Sequence, residues 1–212
     1  MAQSTWERLA AGTGLVFVVL FIVALVVNPV VDALGDEASV VAEKLLANQA
    51  RALVSVAVGT LAAFALVWFA ASLHSTLRQA EGEAGVLSAV AFAGGVMAGV
   101  TILASSALTR TAAEFVRRQD DSEGARLASS LAESTMVVAT IFGLALLVGA
   151  TFVIALRHQA IPRWLAWVGA VGAVLSLVPQ YPIHVFGGLI VLFWVAALSI
   201  VLIRRVGSTM ES

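Results

Sequence analysis

The sequence predicts an all-α fold: a polytopic integral membrane protein built as one six-transmembrane-helix bundle over residues 1–212. Three observations predict it. Hydrophobic residues make up 60% of the chain and charged ones 12%, with a mean hydropathy of +1.00, whereas soluble domains carry about 25% charged residues. Between Arg163 and Arg204 there is no Lys, Arg, Asp or Glu, too long a stretch for one helix through a hydrocarbon core that takes about 20 residues. The remainder of the chain divides into similar charge-free lengths separated by polar patches. A chain with so few solvating groups keeps most of its surface in lipid, so the bilayer is its first expected partner.

The first span is expected at about 9–28. Leu15 to Val27 is an unbroken apolar run, stopped by Asn28-Pro29, with Trp6 placed as an interfacial anchor. A signal peptide is the competing reading of this end, but the apolar part is long for one and Val31-Asp32-Ala33 is a poor cleavage site, so a retained helix is expected. Asp36 to Arg51 is the first polar patch. Val40, Val41, Leu45 and Leu46 recur there at helical spacing opposite Glu43 and Lys44, with Asp36 as a cap, so an amphipathic helix bends into the second span at about 52–73. Gly82 breaks the following loop.

The third span is expected at about 84–109. Its small residues Ala91, Gly95 and Gly99 recur four apart, a flat face that lets a helix approach closely. That face is the expected contact for a homo-oligomer or a membrane protein partner. Arg110 to Glu133 forms the second polar patch, with helical patterning on both sides of Asp120-Asp121-Ser122-Glu123-Gly124 and Asp121 or Ser122 as the N-cap. Helices two to four are thus expected to extend beyond the outer leaflet. The fourth span follows at about 134–156. Pro162 opens the fifth, at about 162–178, and the sixth runs at about 183–203. Six spans put both termini on one side. Arg8, Arg78, Arg157, Arg163, Arg204 and Arg205 crowd that side's helix ends and short loops, so the termini are expected in the cytoplasm and the protein in the cell (plasma) membrane.

Two stretches carry a family likeness. Trp6-Glu7-Arg8-Leu9-Ala10-Ala11-Gly12 enters helix one, and Ile161-Pro162-Arg163-Trp164-Leu165-Ala166-Trp167-Val168-Gly169 enters helix five. In these motifs and in layout the chain resembles a family of bacterial, actinobacterial-type six-helix integral membrane proteins catalogued as a domain of unknown function. The resemblance implies the six-helix fold and carries no functional residues.

The candidate ligand-binding residues are Gln180, Tyr181 and His184, at the Pro179–Pro182 break between helices five and six. Trp164 to Val178 spans only about 22 Å as a helix, short of a core of about 30 Å. Either helix five starts earlier or this break is recessed, where irregular backbone lines protein or a wet cavity. An ordinary interfacial turn is the plainer alternative.

Other chemistries find little footing. No Cys is present, which removes disulfides, thiolate catalysis and thiolate-bound metals. His74 with His158 is the only pair that shares a side for an iron, and neither has a His at i+3 or i+4, so no cofactor and no metal site is expected. Ser105-Ser106 lacks a nucleophile elbow, and the spans hold no Asp or Glu, so no catalytic residues are expected either. The acidic turn lacks the spacing of a calcium loop. With a net charge of −1 and no basic tract, nucleic acid is not an expected partner. The leading expectation is a non-enzymatic membrane protein, a binder or sensor of a small lipophilic molecule or an accessory subunit of a membrane complex. The alternative is a transporter of a small neutral solute through the helix five–six break.

Overall fold

The computed structural model describes residues 2–29, 33, 35–82, 85–159, 161–178 and 183–208. Among these residues the fold is all-α, without strands. The helices are α1 (Ala2–Val27), α2 (Ala38–Ala47), α3 (Gln49–Glu81), α4 (Val86–Gln119), α5 (Ser122–Ser134), α6 (Ile141–His158), α7 (Arg163–Ser176) and α8 (Ile183–Ser208). A π-helical segment, Thr135–Thr140, joins α5 to α6 without a break. Five helices, with α5 to α6 counted as one, are long and apolar enough to cross a membrane. At 14 residues α7 is shorter, about 21 Å at ~1.5 Å per residue. Val19, Leu61, Phe64, Val100, Phe142 and Phe193 stand exposed on the outside. So much apolar surface in water would be an aggregation liability; against lipid it is the expected exterior.

The long helices pack in chain order. α1 lies on α3, α3 on α4, α4 on α6, α6 on α7 and α7 on α8, and α8 returns to α1 to close a ring. Contact registers run in opposite directions along successive helices: Gly95 meets Ala70 and Gly99 meets Val67, while Gly169 meets Trp194 and Gly172 meets Ile190. Neighbours are therefore antiparallel, and the first and last helices place both chain ends at one end of the ring. Phe17, Leu66, Phe69, Leu147, Ile154, Trp194 and Leu198 fill the interior.

Small residues set how close the helices come. A Cβ on Gly94 would stand 2.6 Å from the Leu147 backbone nitrogen and 2.7 Å from the Gly143 carbonyl oxygen. One on Gly143 would meet the Ala98 nitrogen at 2.7 Å and the Gly94 oxygen at 2.9 Å. Here α4 and α6 touch backbone to backbone, the close approach that Gly permits between helices in lipid. The Ala91, Gly95, Gly99 face is also used for close approach, but the occupant differs from the expectation. Gly95 and Gly99 receive Ala70 and Val67 of α3 in the same chain, and Ala91 is buried. That face is filled from within the chain.

At the end of the ring away from the termini sits a small second layer. Val41, Ala42 and Leu45 of α2 pack with Ala112 and Val116 of α4 and Ala125 and Ala128 of α5, with Phe115 against them. This cap has its own core because all three helices carry apolar residues on one face and charge on the other. The bend expected between the amphipathic helix and the second span falls at Asn48, whose amide donates to the Lys44 carbonyl. Asp121 caps α5 as expected, accepting from the Gly124 N–H at 2.9 Å. Asp36 does not cap α2. Glu37 holds that position without a side-chain bond, and Asp36 pairs with Lys44 in the last turn of the helix.

Candidate functional site

The two polar residues named for the helix five–six break, Gln180 and Tyr181, lie outside the described residues. So does the side chain of His184, whose backbone belongs to the first turn of α8. His74, at the end bearing the termini, is engaged locally: Nδ1 lies 3.0 Å from the Ser88 carbonyl oxygen and the ring rests on Phe92. Among the described residues no group of three His, Cys, Asp or Glu is placed to hold a metal.

A polar cavity lies elsewhere, between ring and cap. It encloses about 270 Å³. Leu25, Asn28 and Pro29 at the end of α1 form one wall, and Leu45 of α2 closes it from the cap. Ser105 and Thr109 of α4 face Ser129 and Glu133 of α5, with Met136 and Val137 of the π segment completing the lining. A smaller pocket of about 40 Å³ continues inward past Ser55, Gly59 and Ser106, sharing Leu25, Asn28, Ser105, Thr109 and Met136 with the first. The result is a two-sided space, apolar along Leu25, Leu45, Met136 and Val137 and polar along the hydroxyls, Asn28 and Glu133.

The π segment shapes this space. Its sequence, TMVVAT, places four β-branched residues within six, and such side chains crowd the preceding turn of a regular helix. Widening to i→i+5 bonding fits an extra residue into the same path, and such bulges are frequent at functional sites. Two hydroxyl contacts from α4 bracket it. Ser105 Oγ donates to the Ala132 carbonyl at 2.9 Å just before the segment, and Thr101 and Thr140 share a hydrogen bond of 2.9 Å at its far end. Met136 is held between those two ties and points its flank at the cavity.

Three hydroxyls of the lining are committed as donors. Ser55 donates to the Ala24 carbonyl at 3.0 Å, Ser105 to Ala132, and Thr109 to the Ser105 carbonyl at 3.0 Å. Each keeps acceptor lone pairs for a guest. Glu133 is the one charged residue of the lining, and it forms no ion pair or hydrogen bond among the described residues. Three other acids of the cap are occupied: Asp36 with Lys44, Glu114 with Arg117 and Arg118, and Glu123 with Arg126. Sequence reading passed over this site because its residues come from five separate elements. Each one taken singly reads as an ordinary helix hydroxyl or a solvated charge.

Long apolar helices in an antiparallel ring, with a polar cavity at one end, define a polytopic bundle of the membrane-protein type. Residues 11–206 match the family described as Domain of unknown function (DUF4386), and the chain belongs to that family. No curated protein and no solved structure matches it.

Proposed function

We propose that this is a non-enzymatic multi-pass protein of the cell membrane that binds a small, mostly apolar molecule in the cavity beneath the cap. The chain crosses the bilayer six times, α7 being the short crossing, and the cap stands outside the outer leaflet. Arg8, Arg78, Arg157, Arg163 and Arg204 crowd helix ends and short loops at the end of the ring that bears the termini, the positions that weigh most in the positive-inside rule, which supports cytoplasmic termini. The observation that carries the binding role is the two-sided cavity beside a π segment. An apolar space with a few convergent polar groups is the usual form of a small-molecule site. Ser55, Ser105 and Thr109 already donate to backbone carbonyls and no His stands in the lining, an arrangement suited to holding a guest rather than transforming it.

Its volume sets the size of the guest. About 270 Å³ corresponds to roughly nine water volumes of ~30 Å³, the bulk of an eight-carbon alcohol. In nanodiscs, 1-octanol is expected to raise the unfolding temperature of the protein saturably, as a ligand of the folded state must. Ser129→Trp, which fills the cavity from the half-exposed face of α5, should weaken that binding about tenfold or more while the protein stays folded. An equal response in both proteins would remove the site.

A further inference from the structure

The cavity also carries information about which guest it takes, an inference that rests on the binding role proposed above. Two independent features place negative charge around it and none places positive charge in its lining. The first is Glu133, exposed at the cavity rim, without an ion-pair partner among the described residues. The second is the end of α1. Leu25, in the last turn of the 26-residue α1, and Asn28, just past it, line the space at the negative end of the helix dipole. Ser55 spans to the Ala24 carbonyl and Arg51 donates to Val26 at 3.4 Å from the α3 side, outside the lining. Nearby cations do not stand in the lining. Lys44, Arg117, Arg118 and Arg126 are each paired with an acid of the cap, and Arg51 and Arg110 lie outside the lining.

We infer that the cavity recognises the ammonium group of an amphiphile, its charged head at Glu133 and the α1 terminus and its chain along Leu25, Met136 and Val137. A neutral guest of the same shape satisfies the apolar wall alone. An anionic one meets the Glu133 carboxylate and the negative end of α1, with no cation in the lining to offset them.

Three eight-carbon probes separate these cases: octyltrimethylammonium, 1-octanol and octyl sulfate, titrated into nanodisc-embedded protein and followed by thermal unfolding. The ammonium is expected to bind up to about fivefold tighter than octanol, the span of one solvent-exposed ion pair, with octyl sulfate weakest. In Glu133→Gln the gap between ammonium and octanol should close, and in Glu133→Lys the order should invert in favour of the sulfate. Discs of phosphatidylglycerol and of phosphatidylcholine distinguish the source of the ammonium. A bilayer choline headgroup in the site competes and weakens the probe only in choline discs, relative to Glu133→Gln in the same lipid. A free amphiphile leaves that ratio unchanged. Equal binding of all three probes, with Ser129→Trp still weakening each, would overturn the ammonium inference and leave the binding role standing. No response sensitive to Ser129→Trp for any probe overturns both.

Discussion

A single methyl group added at Gly94 or Gly143 is expected to destabilise the protein by about 3 kcal/mol, the upper part of the range for overpacking a well-filled interior. The reason is what the methyl would meet. At both positions the nearest atoms are backbone of the facing helix, at 2.6–2.9 Å, and backbone in a regular helix has no rotamer to change. Gly94→Ala and Gly143→Ala should therefore each push α4 off α6, seen as a lowered unfolding temperature in detergent. The double variant should cost less than the two losses added, since each methyl would press on the other glycine's carbonyl and one separation accommodates both. Gly149→Ala and Gly188→Ala are the controls. A Cβ at either meets nothing within 4 Å, so those changes should be neutral or stabilising by up to about 1 kcal/mol, the intrinsic preference of a helix for Ala over Gly.

Deleting Val138 is expected to abolish octanol binding while leaving the fold in place. Val138 is 69% exposed, so its side chain contributes little to packing. It lies in the segment where each N–H reaches one residue further back than in an α-helix, which is why that segment holds an extra residue. With one residue removed, i→i+4 bonding runs from α5 into α6, and both flanks keep their faces toward α4. Met136 then moves out of its place between the Ser105 and Thr101 ties, and the cavity loses a wall. Wild-type protein at a hundredfold excess over Kd should gain about 2.7 kcal/mol of stability from octanol, and the deletion variant close to none. Deleting Val148, in the regular part of α6 and fully buried, should instead turn the rest of that helix by about 100° and unfold the protein.

The large features of the fold were legible because they are written in charge. The lengths free of Asp, Glu, Lys and Arg mark the long apolar helices, and the patterns around Asp36–Arg51 and Arg110–Glu133 mark the three helices that become the cap. Asp121 was readable as a cap from its own chemistry. The close-packing use of Gly95 and Gly99 was readable as well, but not their neighbour: a small face says that some helix comes near, and only the folded ring shows that it is α3. The π segment was hidden for a physical reason. Its β-branched run is compatible with a regular membrane helix, and no Gly or Pro punctuates it. The cavity was hidden for another. Asn28, Ser105, Ser129 and Glu133 have no sequence spacing in common, and only the cap folded over the end of α1 brings them together. Glu133, read along the chain as one more acid of a solvated patch, becomes distinctive only when it is seen to be the one charged residue of the cavity lining.

Photolabelling tests most directly whether the space under the cap is a binding site. The protein in nanodiscs is irradiated with a diazirine analogue of octanol, and the adducts are mapped by peptide mass spectrometry with and without excess octanol. The predicted result is a set of adducts on Leu25, Asn28, Met136, Val137 and their neighbours that octanol suppresses. Adducts confined to the lipid-facing exterior, at residues such as Phe64, Phe142 and Phe193, and indifferent to competition, would contradict it.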